Sequence, residues 1–123
     1  MPMTRILIID DDPDVRTVMK SLMKKQGYEV EVASDREEAL AKLSRFQPSL
    51  VLLDVLLSGT DGRQLCREIK HMEAMKDVPV IMISAHPGAA ENIDNYGADD
   101  FVSKPVNTQV LLDKIEHLAR VQG

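Results

Sequence analysis

Five residues from four separate stretches of the chain carry side chains that could act together: Asp10, Asp11, Asp54, Ser84 and Lys104. Each stands at or just beyond the end of a short apolar run, "RILII" before Asp10, "LVLL" before Asp54, "VIMI" before Ser84 and "FVS" before Lys104. An isolated carboxylate beside a buried run is costly unless something pairs with it. Clustered carboxylates also repel one another unless a cation sits among them, and hard oxygen donors suit Mg²⁺, which usually keeps waters and a phosphate oxygen. A carboxylate beside such a cation and an ammonium group can attack a phosphoryl group, because both neutralise charge on the equatorial oxygens during in-line transfer. The expected product is an aspartyl phosphate at Asp54, with Ser84 and Lys104 each contacting a phosphate oxygen. Plainer readings stand beside these. Asp10 and Asp11 taken alone could be turn residues, Lys104 a solvated charge, and Asp12 before Pro13 reads as a helix cap rather than a metal ligand.

Bringing five such residues to one place requires a specific scaffold. The chain alternates short apolar runs with helix-period segments, the pattern of repeated βα units around a parallel sheet. Strands are expected at Arg5–Asp10, Tyr28–Ala33, Leu50–Asp54, Val78–Ser84 and Asp100–Ser103, the second of them near a sheet edge. The first helix opens at Asp12 and Pro13, repeats Val15, Val18, Met19, Leu22 and Met23, and stops at Gly27. Ser34 with Glu37 has capping-box spacing ahead of Ala39, Leu40, Leu43 and Phe46. Gly59 to Gly62 reads as a turn, followed by a helix marked by Leu65, Ile69 and Met72. A short helix is expected between Ala89 and Tyr96, and Asn107 caps a last helix whose inner face is Val110, Leu111, Ile115 and Leu118. Five βα units predict an α/β, doubly wound, flavodoxin-like three-layer sandwich with a parallel five-stranded sheet of order 2-1-3-4-5. In such sheets the ligand crevice lies outside the carboxyl ends of the strands, where the five polar residues fall.

Composition narrows the functional classes. A chain of 123 residues fits one domain, residues 1–123, with room for a real core. Its 44% apolar and 28% charged residues are those of an ordinary globular protein. A net charge of -5 argues against a direct grip on nucleic acid, which needs a basic footprint. Cys66 is the single cysteine, so neither an internal disulfide nor a thiolate cluster can form, and its apolar helix neighbours suggest an inert thiol. No run approaches a membrane span and no signal-peptide pattern opens the chain, so no membrane role and a cytoplasmic location are expected.

With these residues in place, the chain resembles the response-regulator receiver domains of two-component signalling, which are CheY-like. "ILIIDDDPDVR", "LVLLDVLLSGTDG", "VIMISA" and "GADDFVSKP" match the acidic-pair, phosphoacceptor, hydroxyl and lysine blocks in order, across essentially the whole chain. The resemblance implies that Asp10 and Asp11 are the acidic pair, Asp54 the phosphorylated residue, Ser84 the switch hydroxyl and Lys104 the phosphate-binding lysine. It further implies that the Leu56 backbone carbonyl joins Asp10, Asp11 and Asp54 around Mg²⁺, that Phe101 is an aromatic switch, and that Lys104-Pro105 is a cis peptide. A sensor histidine kinase or phosphotransfer protein would donate the phosphoryl group, and a downstream effector protein or domain would read the face of the fourth helix, fifth strand and last helix. On this reading the protein catalyses only its own aspartyl phosphorylation and dephosphorylation. Two departures stand out: Ser58 replaces the usual proline, and Ser84 to Gly97 is about two residues short, which leaves the fourth helix truncated or irregular.

Other classes compete. A phosphorylation-independent protein-binding module on the same fold would not need the acidic set and lysine that are present here. A phosphohydrolase using an aspartyl intermediate would need a cap domain to hold its substrate. Smaller features have ordinary explanations: His86 as a loop histidine, Phe101 as plain core, and the seven methionines as flexible packing.

Overall fold

Alternation of apolar runs and amphipathic segments produces a continuous βα winding. The computed structural model describes residues 4–57, 59–86, 88, 91 and 93–122. In chain order the elements are β1 (Arg5–Ile9), α1 (Pro13–Lys25), β2 (Glu29–Ala33), α2 (Arg36–Phe46), β3 (Leu50–Asp54), β4 (Leu56–Leu57), β5 (Thr60–Asp61), α3 (Gly62–His71), β6 (Val80–Ser84), a 3₁₀ turn (Ile93–Tyr96), β7 (Asp100–Ser103) and α4 (Thr108–Gln122). The main sheet has order β2-β1-β3-β6-β7, all parallel, which is the 2-1-3-4-5 winding once the small β4-β5 hairpin is set aside. As expected, β2 is an edge strand.

The central strands are buried on both faces, as the unbroken apolar runs require. Leu7, Ile9, Val51, Leu53, Val80 and Met82 pack with Leu43, Leu65 and Ile69 of α2 and α3. Ile6, Ile8, Leu50, Leu52, Ile81 and Ile83 pack on the other face with Met19, Met23, Leu111 and Ile115 of α1 and α4. Each such side chain stabilises the fold by roughly 1.5–3 kcal/mol. Three layers result, with the carboxyl ends of the five parallel strands at one rim. Among the described residues, no helix is long and apolar enough to cross a membrane.

Local chemistry sets the helix starts. The Asp12 side chain accepts from the N–H groups of Asp14 and Val15, with Pro13 as first helical residue. Asp61 caps α3 by accepting from Arg63 N–H, and Asn107 caps α4 by accepting from Val110 N–H.

Several expectations shift. The cap of α2 is Asp35, not Ser34: Asp35 accepts from Glu38 N–H at 2.8 Å, and Glu38 accepts from Ser34 N–H at 3.0 Å. The capping box therefore starts one residue later, because a carboxylate reaches the free N–H groups and Glu38, not Glu37, can fold back. Val18 and Val110, expected on inner helix faces, are 66% and 43% exposed, since Met19 and Leu111 take the positions against the sheet. The fourth strand starts at Val80 because Val78 N–H is spent on a turn to Met75 O. Gly59 to Gly62 belongs to a small hairpin, Leu56–Leu57 against Thr60–Asp61, running into α3. The helix expected between Ala89 and Tyr96 is a 3₁₀ turn over Ile93–Tyr96, and residues 89, 90 and 92 lie outside the described residues. Ser58 lies outside them as well.

Candidate functional site

The sheet register brings the five polar residues to the rim. Strands β1 and β3 are neighbours, so Asp10 and Asp54 leave adjacent strand ends side by side. Strands β3 and β6 pair Asp54 with Ile83, and β6 and β7 pair Ser84 with Ser103, one residue before Lys104. Carboxylate oxygens of Asp10, Asp11 and Asp54 lie within 4.8 Å of one another. Asp10 and Asp54 are 3% and 6% exposed, and Asp11 is the more open of the three. The Lys104 ammonium spans the pair, with Nζ 3.3 Å from Asp54 Oδ2 and 3.5 Å from Asp10 Oδ2.

Electrostatics follow from this crowding. Burial, then the neighbouring Asp10 charge, push the Asp54 carboxyl above the ordinary carboxylate value, while Lys104 and the Leu56 N–H pull it back. Burial alone would lower the Lys104 ammonium, but Asp10 and Asp54 outweigh it and hold the lysine above its usual value. One ammonium thus relieves only part of the repulsion among three carboxylates. The donor set is all oxygen, clustered and partly open to solvent, which fits a hard divalent cation such as Mg²⁺.

The remaining candidates surround this cluster. Leu56 N–H donates to Asp54 Oδ1 at 3.2 Å, which places the Leu56 backbone beside the phosphoacceptor candidate although the residue as a whole is 64% exposed. Ser84 is buried, its Oγ accepts from His86 N–H at 3.0 Å, and its carbonyl accepts from Lys104 N–H at 2.9 Å. Ser84 and Lys104 are therefore joined through the backbone. Lys104-Pro105 is cis. Phe101, opposite Met82 in the sheet, is partly buried against the core shared with α2 and α3, against which Ile93 and Tyr96 also pack. Asp12 is a helix cap, the His86 side chain is exposed, and Cys66 is buried with its thiol pushed up to about 11 by burial.

Two residues that shape the rim were not singled out from the sequence. Arg16 Nη1 donates to the Asp10 carbonyl at 2.7 Å. Gly62 N–H donates to the Val55 carbonyl at 2.6 Å, and a Cβ there would overlap the Asp54 carbonyl oxygen and approach Val55 Cα to 2.9 Å. The available signals were slight: an arginine near the start of a helix, and a glycine where a helix former would serve.

Comparison with known proteins agrees with this architecture. Residues 6–116 match the family described as response regulator receiver domain. The chain is 34% identical over 120 residues to the DNA-binding dual master transcriptional regulator RpaA of Synechocystis, covering 96% of this chain and 50% of that protein. It spans about half the length of that curated relative. The receiver domain of NtrX from Brucella abortus superposes with a TM-score of 0.85 at 35% identity, covering 92% of this chain and 96% of that one. A CheY-like receiver domain protein from Methanospirillum hungatei superposes with a TM-score of 0.89 at 32% identity, covering 98% and 97%. By fold and by sequence, the chain belongs to the receiver domains of response regulators in two-component signalling.

Proposed function

We propose that residues 1–123 form a single receiver domain that works as a phosphorylation-dependent switch, with Asp54 as phosphoacceptor. The observation that carries the reading is the Lys104 ammonium set between Asp54 and Asp10 at 3.3 and 3.5 Å inside a cluster of three carboxylates. Asp10, Asp11 and Asp54, with the Leu56 carbonyl, would hold Mg²⁺, which when bound neutralises charge on the phosphoryl oxygens. An Asp54 carboxylate oxygen attacks the phosphorus of a phosphohistidine. The new O–P bond forms as the N–P bond breaks, and its electron pair leaves on the imidazole nitrogen. Lys104 shifts its contact from the free carboxylate to a phosphoryl oxygen. Ser84 Oγ accepts from His86 N–H, so its own proton is available to donate to a second one.

The donor is a sensor histidine kinase or phosphotransfer protein, and the output is read by an effector protein or domain. Ser84 and Lys104 bracket the segment that holds the 3₁₀ turn and Phe101, so their movement toward Asp54 biases that segment, β7 and α4. Phe101 is the candidate ring to follow Ser84.

Treatment with acetyl phosphate and Mg²⁺, followed by intact mass measurement, tests the reading. One added phosphoryl group is expected on the wild type and none on Asp54→Ala. Equal labelling of the variant would refute Asp54 as acceptor, and no gain on the wild type would leave the phosphorylation-independent binding module in its place. With Mg²⁺ and beryllofluoride, amide exchange should change most between Ser84 and Thr108; a larger change in α1 and α2 would refute the output route.

A further inference from the structure

We infer that Arg16 is a positioning residue for the acidic pair: its guanidinium anchors the Asp10 carbonyl and so sets how tightly the carboxylate cluster holds a divalent cation. The inference rests on the metal-dependent phosphoacceptor reading and deepens it. Strand β1 ends at Ile9, so the Asp10 carbonyl lies beyond the sheet ladder, and Arg16 Nη1 donates to it at 2.7 Å. The other polar groups of Asp10 are held elsewhere: its N–H donates to Ala33 O, Oδ1 accepts from Asp12 N–H, and Oδ2 faces Lys104.

The Asp10 carbonyl and the Asp11 N–H belong to one planar peptide unit. Holding the carbonyl therefore orients the unit from which the Asp11 side chain departs, and the two carboxylates keep their relative placement. Arg16 is the fourth residue of α1, near the positive end of the helix dipole, where a cation is disfavoured. Helix propensity would accept many residues at this position and the dipole disfavours a cation, whereas a charge-assisted bond to a carbonyl calls for one. Partners that orient metal ligands from behind typically change metal affinity by 10–100-fold when removed, and one bond to a backbone carbonyl falls at the lower end, about tenfold.

The test is a calorimetric Mg²⁺ titration of the wild type, Arg16→Met and Arg16→Lys, with thermal unfolding recorded for each. Arg16→Met is expected to raise the Mg²⁺ dissociation constant about tenfold, while Arg16→Lys, which keeps one donor for the one bond used, stays within about threefold of wild type. The Mg²⁺ concentration for half-maximal phosphorylation by acetyl phosphate should rise in parallel, with the rate at saturating Mg²⁺ unchanged. If Arg16→Met does not fold, Arg16→Leu, which likewise carries no donor, is expected to show the same shift. A variant with lowered thermal stability and unaltered Mg²⁺ affinity would mean a purely structural role and overturn the inference. A lowered rate at saturating Mg²⁺ with unaltered affinity would place Arg16 on the phosphodonor and also overturn it. Wild type that binds Mg²⁺ but takes no phosphate, with the affinity shift intact, would overturn the phosphoacceptor reading alone; wild type that binds no Mg²⁺ would overturn both.

Discussion

Replacing Gly62 by alanine sets helix propensity against close packing, and the structure decides which wins. Gly62 is the first residue of α3, where alanine would by propensity stabilise the helix by roughly 0.5–1 kcal/mol. The added Cβ would overlap the Asp54 carbonyl oxygen and lie 2.9 Å from both Val55 Cα and the Val55 carbonyl oxygen. All three are backbone atoms, so no side-chain rotation relieves the contact, and the connection after β3 must shift. Overpacking of this kind costs about 1–3 kcal/mol. The net expectation is a loss of about 1–2 kcal/mol, which for a chain of this length lowers Tm by roughly 3–10 °C. Because the displaced carbonyl is that of Asp54 itself, Mg²⁺ affinity and phosphate uptake should fall as well. Gly59→Ala is the control: its φ of +73° strains a side chain by about 1 kcal/mol, but no atom lies within 4 Å of the added Cβ, so Mg²⁺ affinity should be unaltered. Thermal unfolding by circular dichroism and a Mg²⁺ titration read both effects. A Gly62→Ala variant melting at or above wild type with normal Mg²⁺ affinity would refute the packing argument.

Three further outcomes are expected. The Asp54 carboxyl is held above its unfolded value by burial and Asp10, so its contribution to folding is fully present below the unfolded carboxyl range and is lost as pH rises through the folded value. Asp54→Asn should accordingly exceed the metal-free wild type in stability at neutral pH, and the difference should shrink on acidification; denaturant melts at several pH values with chelator check this. Asp35→Ala removes the true cap of α2 and should cost about 1 kcal/mol, whereas Ser34→Ala keeps the backbone N–H that Glu38 accepts from and should stay within about 0.5 kcal/mol in the same melts. Cys66 is fully buried and its thiol is raised to about 11, chiefly by burial, so iodoacetamide at pH 8 should leave the native protein unlabelled and label it in urea, as intact mass would record.

Much of this molecule follows from local chemistry. Apolar runs too short for helices, each ending in a polar residue, dictate strands whose carboxyl ends carry Asp10, Asp54, Ser84 and Lys104, because a buried parallel strand tolerates polar groups only where it leaves the sheet. Asp12 with Pro13 and Asn107 mark their helix starts through bonds that span only two or three residues. Such features are legible without knowing what lies across the sheet.

Tertiary structure decided what depends on partners distant in sequence. The approach of Lys104 to Asp10 and Asp54 spans separations of 94 and 50 residues and exists only because β1, β3, β6 and β7 adopt one strand order and register. Helical periodicity identified the inner sides of α1 and α4 but not the width of the buried arc, so Val18 and Val110 read as core although Met19 and Met23 of α1 and Leu111 and Ile115 of α4 are the residues buried against the sheet. Asp35 over Ser34 is a local choice of another kind, set by where the helix begins, since the Asp35 carboxylate rather than the Ser34 hydroxyl accepts from Glu38 N–H. The roles of Arg16 and Gly62 were not legible in the sequence for the same reason: one acts on a carbonyl released by the end of β1, the other by lacking an atom where the chain after Asp54 passes, and both depend on backbone positions that only the folded chain creates.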